Sequence, residues 1–261
     1  MSHTSPIARL ISSVTVLVAA LLIAVLQLAA AANMVEPPHA RELAIPRQQR
    51  FNLREFGGKP GGNFLNTQAF EAAVAAIKKA GGGELYVPAG TWLTTGFALT
   101  SHMALFLEHG ATIVGALPNN SAWRPRNDTC SSYCAVCTCR GKPGTHSSGP
   151  GGADERNTGY EPIIGLFNLT DVLITGNNGT IAGQGDFWWA AIKGHGPCSK
   201  PSPARWCDLP HGRPHAILTS RSQRVVVSNI TITESPFWTI RFWASQRLRA
   251  SNLTVTATRT R

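Results

Sequence analysis

The hydrophobic pattern of this chain repeats at the spacing of short strands. The segment SQRVVVSNITIT at residues 222–233 returns as SQRLRASNLTVT at residues 245–256, which is 23 residues later. A weaker copy, NGTI, lies at residues 178–181. The apolar positions Val225, Ile230 and Ile232 return as Leu248, Leu253 and Val255. A fixed period of this length, built from strand-like segments, is typical of a solenoid whose repeats stack on one another.

One such repeat is too short to bury its own apolar face, so it must pack against the next one. A strand advances about 3.3 Å per residue, and one repeat can therefore form a circuit of two or three strands, with the next circuit about 4.8 Å away. Leucine-rich repeats have a similar period, but their L-x-x-L-x-L pattern is missing. The sequence predicts an all-β fold, a parallel β-helix, in which recurring Asn and Thr stack as side-chain ladders.

One helix is predicted beyond the N-terminal segment. LNTQAFEAAVAAIKKAGGG at residues 65–83 predicts it over residues 67–80, with Asn66 or Thr67 as its N-cap and the Gly81–Gly83 run as its end. Because a solenoid exposes its core at each end, we expect this helix to cap the first coil. The other strand-like segments are residues 84–92, 103–116 and 171–185.

The N-terminal segment contains an uncharged run at residues 10–32 that ends in small residues. It predicts either a cleaved signal peptide at residues 1–32 or an uncleaved membrane anchor at residues 10–32. Both interpretations place the rest of the chain in an oxidising lumen or outside the cell. We therefore expect a secreted, extracellular or cell-wall protein, which contacts a membrane only if the anchor is retained.

The remainder divides into a polar linker at residues 33–50 and an incomplete β-helix domain at residues 51–261. A Cys- and Gly-rich insertion at about 117–159 and a loop at about 194–214 interrupt this domain. The strand-like pattern continues to Arg261 without a capping segment. From this pattern we expect a truncated solenoid with an aggregation-prone edge.

Six cysteines suit a disulfide framework in an oxidising compartment. The first four cysteines in the chain would form two bridges with one another, and three pairings of these four are possible. The last two cysteines would form a third bridge. These candidates are Cys130, Cys134, Cys137, Cys139, Cys198 and Cys207. The last two, with His211 and His215, also have a zinc-like spacing, but oxidation would remove the thiolates that zinc requires. Cys134 and Cys137 lack the βαβ surroundings of a redox pair.

Six N-x-[ST] triplets without an intervening proline mark candidate N-glycosylation sites. They begin at Asn119, Asn127, Asn168, Asn178, Asn229 and Asn252. Behind an N-terminal segment of the secretory type, they favour a glycoprotein.

Positive charge is concentrated late in the chain. The formal net charge is +10, and the nine Arg from Arg205 onward are opposed only by Asp208 and Glu234. This excess is either a solvated basic surface or one that attracts an acidic polymer. Nucleic acid is the least favoured partner, because the chain has a secretory segment and no nucleic-acid-binding motif.

Five segments follow one another in an order typical of one enzyme family. They are FNLREFGG, NTQAFEAAVAAI, GGGELYVPAGTWLTTGFALTSHMALFLEHGATIVGA, NLTDVLITGNNGTIAGQGDFWW and SNITITESPFWTI. From about Phe51 to Arg261 the chain resembles the N-terminal half of plant-type polygalacturonases of glycoside hydrolase family 28. The resemblance implies a right-handed parallel β-helix. It also implies inverting hydrolysis of α-1,4-linked galacturonan without a metal or cofactor, by a monomer that acts on acidic cell-wall polysaccharide.

The resemblance also implies catalytic carboxylates that this sequence does not contain. Inverting hydrolysis needs a protonated carboxyl and an ionised carboxylate roughly 6.5–9.5 Å apart, and the family supplies them in an Asn-Thr-Asp coil followed by an Asp-Asp coil. Neither motif occurs here; the Asp residues are Asp128, Asp154, Asp171, Asp186 and Asp208. Gly194-His195-Gly196 matches the family's Gly-His-Gly only in letters, because it lies in the wrong place. We assign no catalytic residue and expect no hydrolysis by this chain.

Two aromatic segments, Asp186-Phe-Trp-Trp and Ser235-Pro-Phe-Trp238, could offer stacking faces to a sugar. We favour packing at turns for both, because exposed aromatic rings are costly. Arg213 and His215 match a family segment at the start of a coil and are expected to be structural. The family often has His-Pro where this chain has Arg241-Phe242, so no substrate contact is assigned there.

Two other functions compete with hydrolysis. A non-catalytic wall-binding module would use the Arg-rich coils to hold acidic polysaccharide. A pectate-lyase-like enzyme would need Ca²⁺ held by several carboxylates, and the shortage of Asp and Glu on the predicted strands argues against it.

Overall fold

The computed structural model describes residues 43–46, 48–117, 120–124, 160–193 and 213–257. Within them a first sheet contains β1 (Arg50–Asn52), β2 (Gly83–Val87), β3 (Gly90–Thr94), β5 (Met103–Leu107), β6 (Ala111–Gly115), β8 (Thr170–Gly176), β9 (Gly179–Ala182), β11 (Gln223–Thr233) and β13 (Gln246–Thr256). A second sheet contains β4 (Phe97–Ala98), β7 (Ile164–Phe167), β10 (Ile217–Ser220) and β12 (Ile240–Trp243). The α-helices are α1 (Thr67–Lys79) and α2 (Gly185–Lys193), and Leu53–Phe56 forms a short 3-10 helix.

Every strand pair in the two sheets is parallel. The long strand β11 pairs with β8 through Gln223–Val227 and with β9 through Ile230–Thr233, so it joins two halves of the first sheet. With the second sheet, these halves give each coil three β faces. The predicted right-handed parallel β-helix is confirmed. The predicted 23-residue repeat is confirmed as well, because β11 and β13 pair residue for residue at that spacing.

The number of residues in one coil varies, although the strands of successive coils stay in register. Gly83 pairs with Met103, 20 residues later, and Met103 pairs with Val172, 69 residues later. Val172 then pairs with Val225 after 53 residues, and Val225 with Leu248 after 23. The two long circuits are those in which the Cys-rich insertion and the second loop occur in the sequence, and the strands on either side of each keep their register.

The core consists of apolar columns that run along the solenoid axis. In one half of the first sheet a fully buried column is formed by Leu85, Leu105, Ile174 and Val227. In the other half the corresponding column is Trp92, Ile113, Ile181 and Ile232. Full burial of one such side chain contributes about 1.5–3 kcal/mol, so these columns supply much of the driving force for stacking.

Helix α1 covers the first coil, as predicted. Its buried face carries Phe70 and Ile77, and the Phe70 ring stacks on Phe97 with 4.3 Å between ring centroids. Asn66 occupies the N-cap position, but its side chain does not cap the helix. It is buried, accepts a hydrogen bond from the Lys59 amide at 2.7 Å and donates one to the Phe64 carbonyl at 2.8 Å, so it fixes the preceding loop instead.

Two features differ from the sequence interpretation. Residues 43–46 lie upstream of the predicted folded part, yet Leu43 and Ile45 are buried against Leu173 and Val226 on the outer face of the first sheet. A second helix, α2 (Gly185–Lys193), was not predicted, and it begins where the strand-like segment at 171–185 ends. Within the described residues no helix is long and apolar enough to cross a bilayer; the run at 10–32 lies outside them.

Candidate functional site

A group of alternating arginine and aromatic side chains, buried at one end and exposed at the other, lies at the second sheet. Arg241 and Trp243 are two residues apart on β12, so both side chains point to the same face of that strand. We call this group the Arg–aromatic stripe. Its members are Trp189, Arg213, Phe237, Trp238, Arg241 and Trp243.

Each neighbouring pair in the Arg–aromatic stripe is in contact. The Arg241 guanidinium carbon lies 4.8 Å from the Trp238 ring centroid and 5.1 Å from that of Trp243. The Arg213 guanidinium carbon lies 3.8 Å from the Trp189 ring and 4.6 Å from the Phe237 ring. These distances are those of cation–π contacts, which hold a guanidinium flat against a ring and fix its orientation.

Backbone carbonyls hold the inner end of the stripe in place. Arg213 is 6% exposed and donates a hydrogen bond from Nη1 to the Pro236 carbonyl at 3.0 Å. Trp189 donates from Nε1 to the Ser235 carbonyl at 3.1 Å. Because both acceptors belong to the turn before β12, α2 and this turn are joined through the stripe.

The outer end of the stripe remains accessible. Trp238 is 45% exposed and Trp243 is 43% exposed, whereas Arg241 between them is half-buried. Residues 213–257 contain six Arg, one acidic residue (Glu234) and no Lys. Two exposed ring faces with a guanidinium between them, in a positive field, suit a ligand that combines flat apolar faces with anionic groups.

A second polar cluster lies where α1 meets the second sheet, beside an open groove of about 560 Å³. Arg124 binds the Glu71 carboxylate with Nη2, and its Nε lies 3.1 Å from Glu161 Oε2. Burial raises the pKa of Glu161; Arg124 opposes the rise and the neighbouring Glu71 carboxylate adds to it. One arginine thus compensates two carboxylates and ties α1 to the segment before β7. No pattern in the sequence indicated this cluster, because its members lie tens of residues apart.

Asp171 is the described aspartate that lies deepest, and its role is structural. Its side chain is fully buried, and both carboxylate oxygens accept from Arg224, at 2.5 Å from Nε and 2.6 Å from Nη2. Hydrogen bonding from Arg224 lowers the pKa of Asp171, and the Ala44 amide and His102 lower it further. His102 Nδ1 lies 2.9 Å from the Ala44 carbonyl and 3.3 Å from Asp171 Oδ2. The carboxylate therefore holds the upstream segment against two neighbouring coils.

The structure divides the aromatic segments that the sequence singled out. In Asp186-Phe-Trp-Trp, Trp188 is fully buried in the core, as expected, but Phe187 and Trp189 are exposed. In Ser235-Pro-Phe-Trp238, Trp238 is exposed, so packing at a turn does not describe it. Sequence reasoning did not foresee that these rings would meet Arg213 and Arg241, because the two segments lie on different coils.

The remaining candidates fall partly outside the described residues. His215 is buried, with its ring 5.1 Å from the Phe237 ring centroid, which agrees with a structural role. Candidates outside the described residues are the six cysteines, Asn119, Asn127, Asp128, Asp154, Asp208, His211 and Gly194-His195-Gly196. Within the part of the chain that the structure describes, no three His, Cys, Asp or Glu side chains gather in a way that could hold a metal ion.

Comparison with known proteins relates the chain to polygalacturonases. It is 36% identical over 214 residues to a probable polygalacturonase from Vitis vinifera, which is 81% of this chain and 38% of that protein. The chain thus spans well under half of the length of this relative. No family model matches the chain.

Solved structures show the same fold. A hyperthermoactive exopolygalacturonase from Thermotoga maritima superposes with a TM-score of 0.59 at 20% identity, over 84% of this chain and 49% of that one. A family 28 exopolygalacturonase from Yersinia enterocolitica gives a TM-score of 0.59 at 17% identity, over 80% of this chain and 39% of that one.

Proposed function

Because this chain is a relative of polygalacturonases in sequence and shares their β-helix fold, we propose that it is a polygalacturonase-like glycoside hydrolase by descent. We propose further that the 261-residue chain itself binds pectic polysaccharide, in the form of α-1,4-linked galacturonan, without hydrolysing it. The observation that carries the binding proposal is the Arg–aromatic stripe.

The chemistry of the stripe fits an acidic sugar polymer. Each galacturonate unit has an apolar ring face and a carboxylate. Trp238 and Trp243 offer exposed rings that can stack on sugar faces. Arg241 lies between them, and a guanidinium can bind a carboxylate with two parallel hydrogen bonds. A neutral polysaccharide could use the rings but would form no ionic contact with the arginine.

Hydrolysis has no comparable support in this chain. Inversion requires two carboxyl groups on either side of the scissile bond, roughly 6.5–9.5 Å apart, and no member of the stripe is an Asp or Glu. Asp171 is committed to Arg224, and Glu71 and Glu161 share Arg124. The Asn-Thr-Asp and Asp-Asp motifs of the family do not occur in the sequence.

The proposal is tested by affinity electrophoresis through gels that contain polygalacturonate, with gels of a neutral glucan as the reference. We expect retardation at low salt that weakens as salt is added, because exposed charges are screened. Arg241→Gln and Trp243→Ala should each weaken retardation. Arg249→Gln is the matched control, because it removes the same charge from exposed β13 in the other sheet.

The outcomes separate the competing functions. Equal effects of Arg241→Gln and Arg249→Gln would mean that the whole basic surface, and not the stripe, attracts the polymer. Release of reducing ends by the purified chain would contradict the proposed lack of hydrolysis. Formation of unsaturated products that stops when a chelator is added would favour the lyase alternative, which uses Ca²⁺. Unhindered migration of the wild-type chain at low salt would remove the binding proposal.

A further inference from the structure

Three of the N-x-[ST] triplets occupy one corner of the solenoid. Asn178, Asn229 and Asn252 each precede residues that pair across adjacent coils: Gly179 with Ile230, and Ile230 with Leu253. All three Asn have positive φ, at 56°, 55° and 49°. Among residues with a side chain, Asn adopts this left-handed conformation most readily, so the backbone of the corner accounts for Asn at these positions.

The Asn and Thr side chains of these triplets form hydrogen bonds at this corner. Asn252 donates from Nδ2 to Asn229 Oδ1 at 2.7 Å, and Asn229 Nδ2 lies 3.4 Å from Thr175 Oγ1. Thr231 donates from Oγ1 to Asn178 Oδ1 at 3.0 Å. Asn and the Thr two residues later are therefore both explained by hydrogen bonds between coils. This is the ladder that the repeat predicted.

The middle member of this ladder is the one whose side chain is held from both sides. Neighbouring coils lie about 4.8 Å apart, and Asn229 has Asn178 on one side and Asn252 on the other. Its side chain is only partly exposed, and both of its polar atoms are engaged, Oδ1 by Asn252 and Nδ2 by Thr175. A sugar on Nδ2 would compete with these contacts between coils.

Asn168 lies at a different corner, between β7 and β8. The register of Phe167 with Ser220 and Trp243 places Arg221 and Ala244 above it, so no Asn ladder forms there. Its φ is 56° and its side chain is exposed. Within the described part of the chain this side chain makes no hydrogen bond, and only its backbone amide is used, donating to the Ser220 carbonyl at 2.9 Å.

From these contrasts we propose that Asn168 carries an N-linked oligosaccharide and that Asn229, despite the same signal, is a ladder residue without one. In the reaction, Asn168 Nδ2 bonds to the anomeric carbon of an oligosaccharide donated by a polyprenyl diphosphate. The bond from that carbon to the diphosphate oxygen breaks, the lipid diphosphate leaves, and Nδ2 loses one proton. The proposal requires entry into a glycosylating lumen, which the segment at residues 10–32 predicts.

The test is site mapping on the full chain translated into eukaryotic microsomes. Peptide N-glycosidase treatment in heavy-oxygen water converts each glycosylated Asn into a labelled Asp, which mass spectrometry locates. We expect the label at Asn168 and none at Asn229. Asn168→Gln and Thr170→Ala should each remove the same glycan. Thr231→Ala, which destroys the Asn229 triplet, should remove none.

A label at Asn229, or an unmodified Asn168, overturns the proposal. A second measurement checks the ladder separately, with non-glycosylated protein. Asn229→Gln should lower the midpoint of thermal unfolding, because Gln disfavours positive φ and loses the partner of Asn252. Asn168→Gln also places Gln at positive φ but breaks no ladder, so it should lower the midpoint less. An equal loss in both variants contradicts the ladder argument.

Discussion

Two arginines on consecutive strands, β11 and β12, show how one residue type takes different roles in this solenoid. Arg224 lies at a corner of the first sheet, where both of its hydrogen bonds go to the fully buried Asp171 carboxylate. Arg241 lies on a face of the second sheet, between the exposed rings of Trp238 and Trp243. The first guanidinium joins two coils through a buried carboxylate, and the second is half-buried between two exposed rings.

The two arginines differ in what lies one coil away. The register sets Arg224 directly above Asp171, as the pairs Gln223–Thr170 and Val225–Val172 on either side require. Arg241 pairs in register with the apolar Leu218, and its guanidinium packs on the rings of Trp238 and Trp243. Arg224 thus takes its role from a residue one coil away, whereas Arg241 takes its role from rings that are near it in sequence.

The largest effect is expected for Asp171→Asn. This change keeps the shape of the side chain but removes the negative charge that accepts both hydrogen bonds from Arg224 and lies beside His102. Hydrogen bonds to a charged group contribute about 1.5–3 kcal/mol each. We expect a loss of about 2 kcal/mol in the free energy of unfolding by urea. Asp186→Asn, at an exposed carboxylate, should stay within about 0.5 kcal/mol. Equal effects would mean that burial of Asp171 contributes nothing.

A pair of Lys substitutions sharpens the comparison between the two arginines. Lys keeps the charge but loses the planar, two-pronged guanidinium. Arg224→Lys should lower the unfolding midpoint and leave retardation by polygalacturonate unchanged. Arg241→Lys should leave the midpoint unchanged and weaken retardation about twofold to fivefold, as expected for the loss of one hydrogen bond to a carboxylate. If both variants lose the same property, the two regions are not separate in function.

The pH dependence of the Asp171 effect has a defined sign. Because Arg224 lowers the pKa of Asp171, the folded state binds this proton more weakly than the unfolded state. The stability difference between wild type and Asp171→Asn should be complete above about pH 4, the ordinary pKa of Asp, and should vanish as the pH falls through the lowered value. Urea midpoints of both proteins between acidic and neutral pH measure it. A difference that grows on acidification contradicts the assigned direction.

Glu161 should show a smaller effect of the opposite sign. Burial raises the pKa of Glu161, so its ionisation is less favourable in the folded protein. Relative to Glu161→Gln, wild type should lose stability as the pH rises from about 4.3, the ordinary pKa of Glu, through the raised value. Glu55→Gln, in the exposed 3-10 helix, provides the reference curve. If the stability differences of Glu161→Gln and Asp171→Asn from wild type changed with pH in the same direction, burial would not be the main influence on the pKa of Glu161.

Much of the first sheet could be predicted from the sequence, and most of the second sheet could not. Strands such as β11 and β13 are eleven residues long and carry a repeat that reveals their pairing. The second sheet consists of strands of two to four residues. All four residues of β10 are buried, so it shows no alternation, and a segment of that length has no recognisable period.

The sequence showed the parts of the candidate site but not that they lie together. Each aromatic segment was noticed in the sequence, but packing was expected for both. Trp188 met that expectation, whereas Trp189, one position later on α2, turned outward towards Arg213. Which ring is buried depends on how α2 sits against the coil, and that placement is set by contacts with residues far away in sequence.

The sequence by itself determined the architecture, because a repeat of apolar positions, Asn and Thr can bury its core and satisfy its corners only by stacking in register. It also indicated the resemblance to polygalacturonases, through segments that keep their order. The tertiary structure decided which charged groups meet. Asp171 with Arg224, and Glu161 with Arg124, are brought together by coils of unequal length. The strength of a charge contact depends on distance and burial, and neither quantity is recorded in the order of residues.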